Sequence, residues 1–227
     1  GALHVPVPAV IAAGPAYRGG GWFMPILFGA TTLLVGPAWC SHLCYFGAWD
    51  GVAASRRKRA GAMPRARRAM QAGMLAAVVG TAAALGAFGV SGRIAALAGI
   101  AFGAAGIGVM VAWSRRAGAM AHCTLWCPIG LLATTLGHLS LFRMRVRPGC
   151  THCGACGAVC RYDALRPEDL DAGRPGPSCT LCGDCVRPCR LGLVEYRLPG
   201  LSAAASRDVF VVLVVALHAV FLGVAMI

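Results

Sequence analysis

Long stretches without charged side chains constrain this chain more than any other feature of its sequence. A helix needs about 20 consecutive apolar residues to cross the hydrocarbon core of a bilayer. Four stretches meet this requirement: Trp22–Trp39, Ala69–Val90, Ile94–Trp113 and Val209–Ile227. Only 13% of all residues are charged, whereas a soluble domain has about 25%. The sequence therefore predicts a mainly α-helical, polytopic membrane protein with about four spans.

A fifth uncharged stretch covers residues 117–142, but His122, two cysteines and Pro128 interrupt it. Proline and polar groups break a spanning helix, so this stretch predicts a short loop followed by an interfacial helix from about Ile129 to Phe142. The second and third spans are separated only by Ser91–Arg93. They are predicted to form a tight antiparallel hairpin.

The basic residues predict the orientation of these spans. Arg and Lys are concentrated between Ser55 and Arg68, after the third span, and after the interfacial helix, whereas the opposite side carries Arg18 and Arg93. Because cytoplasmic loops are enriched in Arg and Lys, the loops at 40–68 and 114–207 are predicted to be cytoplasmic. The net charge of +13 is thereby explained by membrane topology, and we expect no nucleic-acid partner.

The most specific motif is a cysteine run that occurs twice. The spacing C-x2-C-x2-C-x3-C is that of a two-cluster bacterial ferredoxin, in which the fourth cysteine of each run ligates the cluster of the other run. One [4Fe–4S] cluster is therefore predicted on Cys150, Cys153, Cys156 and Cys189. The second is predicted on Cys179, Cys182, Cys185 and Cys160.

A zinc ribbon and a disulfide framework also use closely spaced cysteines, but neither fits this run as well. A zinc ribbon needs only two cysteine pairs and often includes histidine, and a disulfide framework does not suit a cytosolic face. Gly154, Gly157 and Gly183 favour clusters, because glycine lets the backbone N–H groups approach sulfur. Arg161 and Arg190 stand where ferredoxins often have proline. Arginines beside a cluster are expected to raise its reduction potential.

The remaining four cysteines form a second repeat. Cys40 and Cys44 follow the first span, and Cys123 and Cys127 follow the third. An i, i+4 pair points both thiols to one side of a helical turn, so two halves related by a pseudo-twofold axis would bring all four together. Three roles are open for them: buried packing cysteines, a redox-active dithiol or disulfide, and a third metal–sulfur centre. The metal–sulfur centre is slightly favoured, since a cluster requires four thiolates.

A few further side chains are candidates for a redox role. His42 and His122 adjoin these cysteines and are candidates to donate a hydrogen bond to sulfur or to ligate a metal. His138 and His218 are expected simply to bond within the protein. Asp50 is the only acidic residue among the first 160 and is a candidate either to carry quinone protons or to cap a helix.

The domain organisation follows from these segments. Residues 1–21 are predicted to be an external N-terminal segment, and residues 22–147 a membrane domain with both C-x3-C motifs. Residues 148–198 are predicted to be a ferredoxin domain, and residues 199–227 a C-terminal transmembrane helix. Since the chain begins with Gly rather than Met, we expect further sequence upstream.

The order of these motifs resembles the NapH, NosR and CcoG group of membrane polyferredoxins. The resemblance covers residues 20–198 and is closest to the NapH type. It is carried by the two C-x3-C motifs, the basic loop, the helical hairpin and the twin cysteine runs. Cys127-Pro128 matches the family pattern C-x3-C-P, whereas Tyr45 follows Cys44. The resemblance implies a multi-pass protein of the bacterial inner membrane that links a quinone pool or a cytoplasmic donor to a reductase.

Three functions are therefore open at the level of sequence. The favoured one is an electron-transfer subunit of a membrane redox complex, with a cytochrome or an oxidoreductase as partner and without substrate chemistry of its own. The second is a copper reductase or assembly factor that uses the four membrane cysteines. The third is a sensor in which the clusters are regulatory.

The order of the predicted centres is a further expectation. Short tethers, Arg143–Gly149 and Leu198–Arg207, should hold the ferredoxin domain against the membrane. We expect the cluster on Cys150 and Cys189 to face the membrane cysteines, with the cluster on Cys160 farther away. The pseudosymmetry of the domain leaves the opposite order open.

Overall fold

The structure is a computed structural model that describes residues 7–225, with side chains described up to residue 220. It is mainly helical, as predicted. Ten α-helices are described: α1 (Val10–Arg18), α2 (Phe23–Val35), α3 (Tyr45–Ala54), α4 (Arg67–Ala87), α5 (Gly92–Val109), α6 (Arg115–Ala117), α7 (Pro128–Leu136), α8 (Ala155–Val159), α9 (Pro167–Asp171) and α10 (Ala203–Ala225).

Three of these helices continue into tighter or wider turns. A 3-10 turn (Gly36–Ala38) and a π turn (Trp39–Leu43) extend α2, and a π turn (Met110–Ser114) joins α5 to α6. A further π turn covers His122–Trp126, and a 3-10 turn at Gly137–Leu139 ends α7.

Within the described residues, four helical segments are long and apolar enough to cross a membrane. They are Phe23–Leu43, Arg67–Ala87, Gly92–Ala117 and Ala203–Val220. This confirms four apolar spans close to the predicted positions. The last two residues of the predicted fourth span, 226–227, lie outside the described residues, as do residues 1–6 of the predicted external segment.

One predicted boundary is wrong, and one predicted segment contains an unexpected helix. The expected interfacial helix is shorter, because α7 and its 3-10 turn end at Leu139 and a strand begins at Arg143.

The N-terminal segment contains α1, which packs along α4, and the Tyr17 hydroxyl donates to the carbonyl oxygen of Val90 at 2.6 Å. A stretch with three prolines can still form a helix when proline occupies only its first turns or a tolerated kink.

The segment 148–198, called here the cysteine-rich segment, is enclosed by a two-stranded sheet. Strands β1 (Arg143–Val146) and β2 (Val194–Arg197) are antiparallel, and Arg143 lies opposite Arg197. Their buried residues, such as Met144 and Tyr196, alternate with exposed ones, as expected for a strand with one covered face. The sheet closes the segment next to α10, since the rings of Tyr196 and Phe210 are 4.7 Å apart.

The loops that the sequence predicted to share one side lie at one end of the helices. The N–H group of Ala60 donates to the carbonyl oxygen of Ala158 at 2.7 Å, and that of Met120 donates to the carbonyl oxygen of Arg161 at 2.9 Å. The ends of α2 and α5 and the start of α4 therefore meet the cysteine-rich segment there.

Candidate iron–sulfur centres

The first group of four cysteines lines a cavity of about 430 Å³ at the outer end of the cysteine-rich segment. Cys153 is exposed and Cys156 is buried, so one side of the cavity faces solvent. This group, called the outer cysteine set, consists of Cys150, Cys153, Cys156 and Cys189. It contains three cysteines of the first run and the last cysteine of the second, as the swapped ligand pattern predicts.

The second group lines a separate and much narrower cavity deeper in the segment. Three of its members come from the second run and one from the first, which is again the swapped pattern. This group, called the inner cysteine set, consists of Cys160, Cys179, Cys182 and Cys185. Its walls include the apolar residues Met144 and Leu165 and the hydroxyl-bearing residues Tyr162 and Thr180.

The backbone around the two sets repeats almost residue for residue. His152 and Leu181, each directly before the second cysteine of its run, have φ of 52° and 56°. Gly154 and Gly183, each directly after it, have φ of 72° and 82°. A left-handed backbone is strained in residues other than glycine. Because this conformation recurs at matching positions of the two runs, each loop is inferred to be shaped around the same kind of bound group.

Backbone N–H groups also approach sulfur at matching positions. Ala164 donates to Cys160 Sγ at 3.2 Å, and Leu193 donates to Cys189 Sγ at 3.3 Å. In each case the donor lies four residues after the final cysteine of a run. Hydrogen bonds of this kind stabilise ligating thiolates and tune the potential of a cluster.

The other four cysteines lie in two nearly identical turns, the first turn (Trp39–Cys44) and the second turn (His122–Cys127). Each starts with a π turn, and each ends on an extended cysteine that precedes a helix. Cys44 has φ −91° and ψ 118°, and Cys127 has φ −76° and ψ 117°. The N–H groups of these two cysteines donate to the carbonyl oxygens of Trp39 and His122 at 2.9 and 2.8 Å.

A glycine three residues after each turn permits its close packing. A Cβ at Gly47 would overlap the carbonyl oxygen of Cys40, and a Cβ at Gly130 would stand 2.5 Å from the carbonyl oxygen of Cys123. Sequence reasoning missed these two residues. The signal was present as the repeated spacing C-x3-C-x2-G.

The two turns bring their cysteines together. Cys40 and Cys127 belong to one buried apolar cluster, and Cys44 packs against it. Cys123 lines a narrow cavity that Cys40 also lines. The four residues, called the helix-end cysteine set, are therefore adjacent, as the internal repeat predicted.

Two polar side chains fix the second turn. Asp50 Oδ2 accepts a hydrogen bond from the N–H group of Cys123 at 2.9 Å, and Gln71 Nε2 donates to the carbonyl oxygen of Cys123 at 2.8 Å. Both side chains are buried. Asp50 thus anchors a neighbouring loop and does not cap its own helix, α3, where it lies in the interior.

The thiols of the cysteine-rich segment fit a bound cationic group. Burial raises the pKa of Cys179 to about 12 and raises the pKa of Cys160 and Cys182. A thiol in such surroundings ionises only when positive charge compensates the thiolate. Iron atoms of a cluster would supply this charge, and four cysteines around one cavity are the donor set that a [4Fe–4S] cluster requires.

Within the residues that the structure describes, no three His, Cys, Asp or Glu side chains converge on a single metal ion. The ligands of a [4Fe–4S] cluster each bind a different iron atom, so they are spread around a larger core.

The expected order of the centres is wrong. Tyr162 and Thr180 line both the cavity of the inner set and the cavity of Cys40 and Cys123. Ser41 Oγ donates to the carbonyl oxygen of Thr180 at 2.9 Å. The inner set, and not the outer one, therefore faces the helix ends, because the first turn contacts the second cysteine run.

Ion pairs hold the cysteine-rich segment in this orientation. Asp163 Oδ2 accepts from Arg67 at 3.1 Å and from the N–H group of Met63 at 2.9 Å, and it also pairs with Arg166. Arg161 donates to the carbonyl oxygens of Gly118 and Arg57, both at 2.7 Å. Arg161 thus fastens the segment to two helix-end loops, whereas Arg190 lines the outer cavity, as expected of an arginine beside a cluster.

The histidines differ in their surroundings. His42 Nε2 lies 3.4 Å from the carbonyl oxygen of Leu181. Both ring nitrogens of His122 are buried and make no hydrogen bond of normal geometry among the described residues, although the ring lies next to the backbone of Gly106. His138 and His218 are exposed. The histidines beside the helix-end set thus remain candidates to donate to it.

Comparison with known proteins gives one match. The chain matches a family described as a 4Fe-4S binding domain over residues 18–62, a range that contains Cys40 and Cys44 and ends before the twin cysteine runs. No curated protein and no solved structure matches the chain. The match supports an iron–sulfur protein, while the narrower resemblance to the NapH, NosR and CcoG group stays a prediction.

Proposed function

We propose that this chain is a membrane-embedded iron–sulfur protein that relays single electrons as a subunit of a larger redox complex. The observation that carries the proposal is the serial arrangement of three groups of four cysteines. The helix-end set adjoins the inner set through Tyr162 and Thr180, and the outer set ends at the exposed Cys153. Iron–sulfur clusters supply one-electron chemistry when bound, and the three cysteine sets would determine their positions.

The membrane placement is supported by the surfaces of the long helices. Only 11% of the 18 most apolar consecutive residues of α4 are buried inside the protein. The corresponding share for the segment Gly92–Ala117 is 17%. Apolar side chains such as Ile94 and Leu97 are therefore exposed, which suits lipid. The basic loop 55–68 lies at the helix end with the cysteines, so we assign that end to the cytoplasmic side.

The outer set is the proposed contact for a redox partner. Its cavity is bordered by the exposed residues Thr151, Cys153 and Arg190, whereas the cysteines of the other two sets are buried or half-buried. An electron can therefore enter or leave the cysteine-rich segment at the outer set. A cytochrome or an oxidoreductase subunit would dock there, and we assign the chain no substrate chemistry of its own.

Iron and sulfide analysis of anaerobically purified protein, with EPR of its reduced form, tests this function. We expect about twelve iron atoms per chain, four for each set. A Cys123→Ser/Cys127→Ser variant should lose about four of them and keep the EPR signals of the other two clusters. A wild-type chain that takes up no iron would overturn the proposal.

The swapped ligand pairing has its own test. Cys160→Ser should perturb the EPR signal of the cluster on Cys179, Cys182 and Cys185, although it lies in the other run. Cys189→Ser should perturb the signal of the cluster on the first run. The two variants serve as matched controls for each other, and perturbation of the cluster on the same run would contradict the pairing.

A quinone is the proposed second redox partner. An apolar cavity of about 890 Å³ lies between α1, α4 and α5, and Phe102 is part of its wall. The ring of Phe102 stacks on Trp126 at 5.1 Å, and Trp126 directly precedes Cys127. The cavity therefore offers an apolar ligand a site that extends from Ser91–Arg93 to Phe102, whose ring contacts the residue before Cys127.

Filling the cavity tests the quinone. Ala96 lines it, so Ala96→Phe should weaken the binding of a quinone analogue, measured by fluorescence quenching or calorimetry in detergent. Leu97→Phe is the control, because Leu97 is 64% exposed and does not line the cavity. Equal binding by the two variants would contradict this site. The copper hypothesis stays a prediction, with no observation among the described residues in its favour.

A further inference from the structure

One buried side chain stands between two of the cysteine sets. Tyr162 is 4% exposed. It lines the cavity of the inner set together with Cys160, Cys179, Cys182 and Cys185. It also lines the cavity of Cys40 and Cys123.

The hydroxyl group of Tyr162 is unusual because it is buried and yet lacks a hydrogen bond of normal geometry among the described residues. The same is true of the buried hydroxyl of Thr180, which lines the same two cavities. Even when these two hydroxyl groups approach each other, one O–H group remains to donate. Buried hydroxyl groups are nearly always hydrogen-bonded, because leaving one unpaired is costly. Phenylalanine would fill the same space without this cost, so the hydroxyl indicates an acceptor that the chain itself does not supply.

The cavities themselves identify that acceptor. Each is lined by cysteines, and the sulfur atoms of a bound cluster accept hydrogen bonds from neighbouring donors. The hydroxyl of Tyr196, which also lies near the inner set, is already used, since it donates to the carbonyl oxygen of Leu181 at 2.8 Å. The Tyr162 hydroxyl is an available donor between two sulfur-rich sites.

We propose that Tyr162 is the bridge between the helix-end set and the inner set: its hydroxyl donates to a cluster sulfur, and its ring fills the gap that an electron crosses. In the step, one electron leaves one centre and enters the other. No bond forms or breaks, and no proton moves. The proposal rests on the proposed function, since it requires both sets to hold clusters.

The tyrosine has two separable parts, and two substitutions test them in detergent-purified protein with its clusters. Tyr162→Phe keeps the ring and removes the donor, so the midpoint potential of one cluster should fall, as measured by EPR during redox titration. Hydrogen bonds to sulfur stabilise the reduced state, which explains the direction. Tyr162→Leu also removes the ring, so electron equilibration between the two centres after rapid partial reduction should lose its fast phase.

A control variant separates this role from general packing. Thr31→Val removes a buried hydroxyl that donates to the carbonyl oxygen of Leu27 in its own helix, α2. Thr31 lines neither cavity, so the equilibration rate should stay at that of the wild type. Iron content is measured for every variant. If Tyr162→Leu loses iron, Tyr162→Phe still reports the donor through the potentials.

The outcomes distinguish the bridge from the proposed function. Fully loaded wild-type protein together with unchanged potentials in Tyr162→Phe would overturn the donor role alone. An unchanged fast phase in loaded Tyr162→Leu would overturn the bridge. A wild-type chain with only about eight iron atoms, none of them on the helix-end set, would also overturn the bridge while leaving an iron–sulfur protein.

Discussion

The first and second turns have the same backbone but are held by different parts of the molecule. The second turn is anchored by Asp50 and Gln71, which belong to the helical part of the chain. The first turn is instead tied to the cysteine-rich segment, through Ser41 to Thr180 and through His42 to Leu181. The two cysteines of the second turn are therefore held by the helices, and the two of the first turn are held by the cysteine-rich segment. The shape of the helix-end set should thus depend on the packing of this segment against the helices.

The largest effect on stability is expected at the glycines that the two turns require, and the first of these is Gly47. Gly47→Ala would drive a Cβ into the carbonyl oxygen of Cys40, and backbone atoms cannot move aside easily. We expect a loss of about 3 kcal/mol in the free energy of unfolding together with iron loss from the helix-end set. Denaturant unfolding in detergent and iron analysis measure the two effects.

Two further alanine variants calibrate that result. Gly130→Ala should cost less, because its Cβ would stand 2.5 Å from the carbonyl oxygen of Cys123, whereas a Cβ at Gly47 would lie closer still to that of Cys40. Gly73 lies in α4 with nothing within 4 Å of a new Cβ, so Gly73→Ala should be neutral or stabilise by about 0.5 kcal/mol. Equal losses for all three would mean that helix flexibility, and not turn packing, explains the result.

The anchor of the second turn gives the next largest effect. Asp50→Ala leaves the buried N–H group of Cys123 without an acceptor, which should cost about 2 kcal/mol. Asp50→Asn keeps an oxygen in place and should cost clearly less. Thermal unfolding of the two variants, with the EPR signal of the helix-end cluster as a local probe, checks the difference. If asparagine and alanine were equally harmful, the charge of Asp50 and not its acceptor oxygen would be the important property.

Much of this architecture could be predicted from the sequence. The four long helices follow from the charge-free stretches, and the grouping of cysteines into two swapped sets and one helix-end set follows from their spacing. These features depend on local patterns, such as the i, i+4 spacing of each C-x3-C motif. The length of the apolar helices and the spacing of the cysteine ligands can therefore be predicted without knowledge of the tertiary structure.

The orientation of the cysteine-rich segment could not be predicted in the same way. Its two halves are so alike that tether length does not distinguish which set faces the helices. The choice depends on contacts between distant residues, such as Arg67 with Asp163 and Ser41 with Thr180. The role of Asp50 was missed for the same reason, since its partner Cys123 lies 73 residues away.

A smaller effect is expected from the second anchor of the second turn. Gln71→Leu fills the same volume but no longer donates to the carbonyl oxygen of Cys123, so about 1 kcal/mol should be lost. Unfolding in denaturant measures this loss. Combined with Asp50→Ala, the two losses should not add, because both substitutions release the backbone of one residue, Cys123. Simple additivity would show that each side chain acts on a different part of the turn.

The smallest effect is expected at the first turn, and it should appear in a different place. Ser41→Ala removes one hydrogen bond to the carbonyl oxygen of Thr180 in a half-buried position, so its cost should be about 0.5–1 kcal/mol. Because this bond joins the first turn to the second cysteine run, the loss should speed hydrogen exchange around residues 179–185 and leave the second turn protected. Ser55→Ala is the control, since that exposed hydroxyl donates to the carbonyl oxygen of Val52 in the adjoining helix α3. Faster exchange at the second turn instead would mean that the two turns share one set of anchors, and that docking of the cysteine-rich segment does not control the first turn alone.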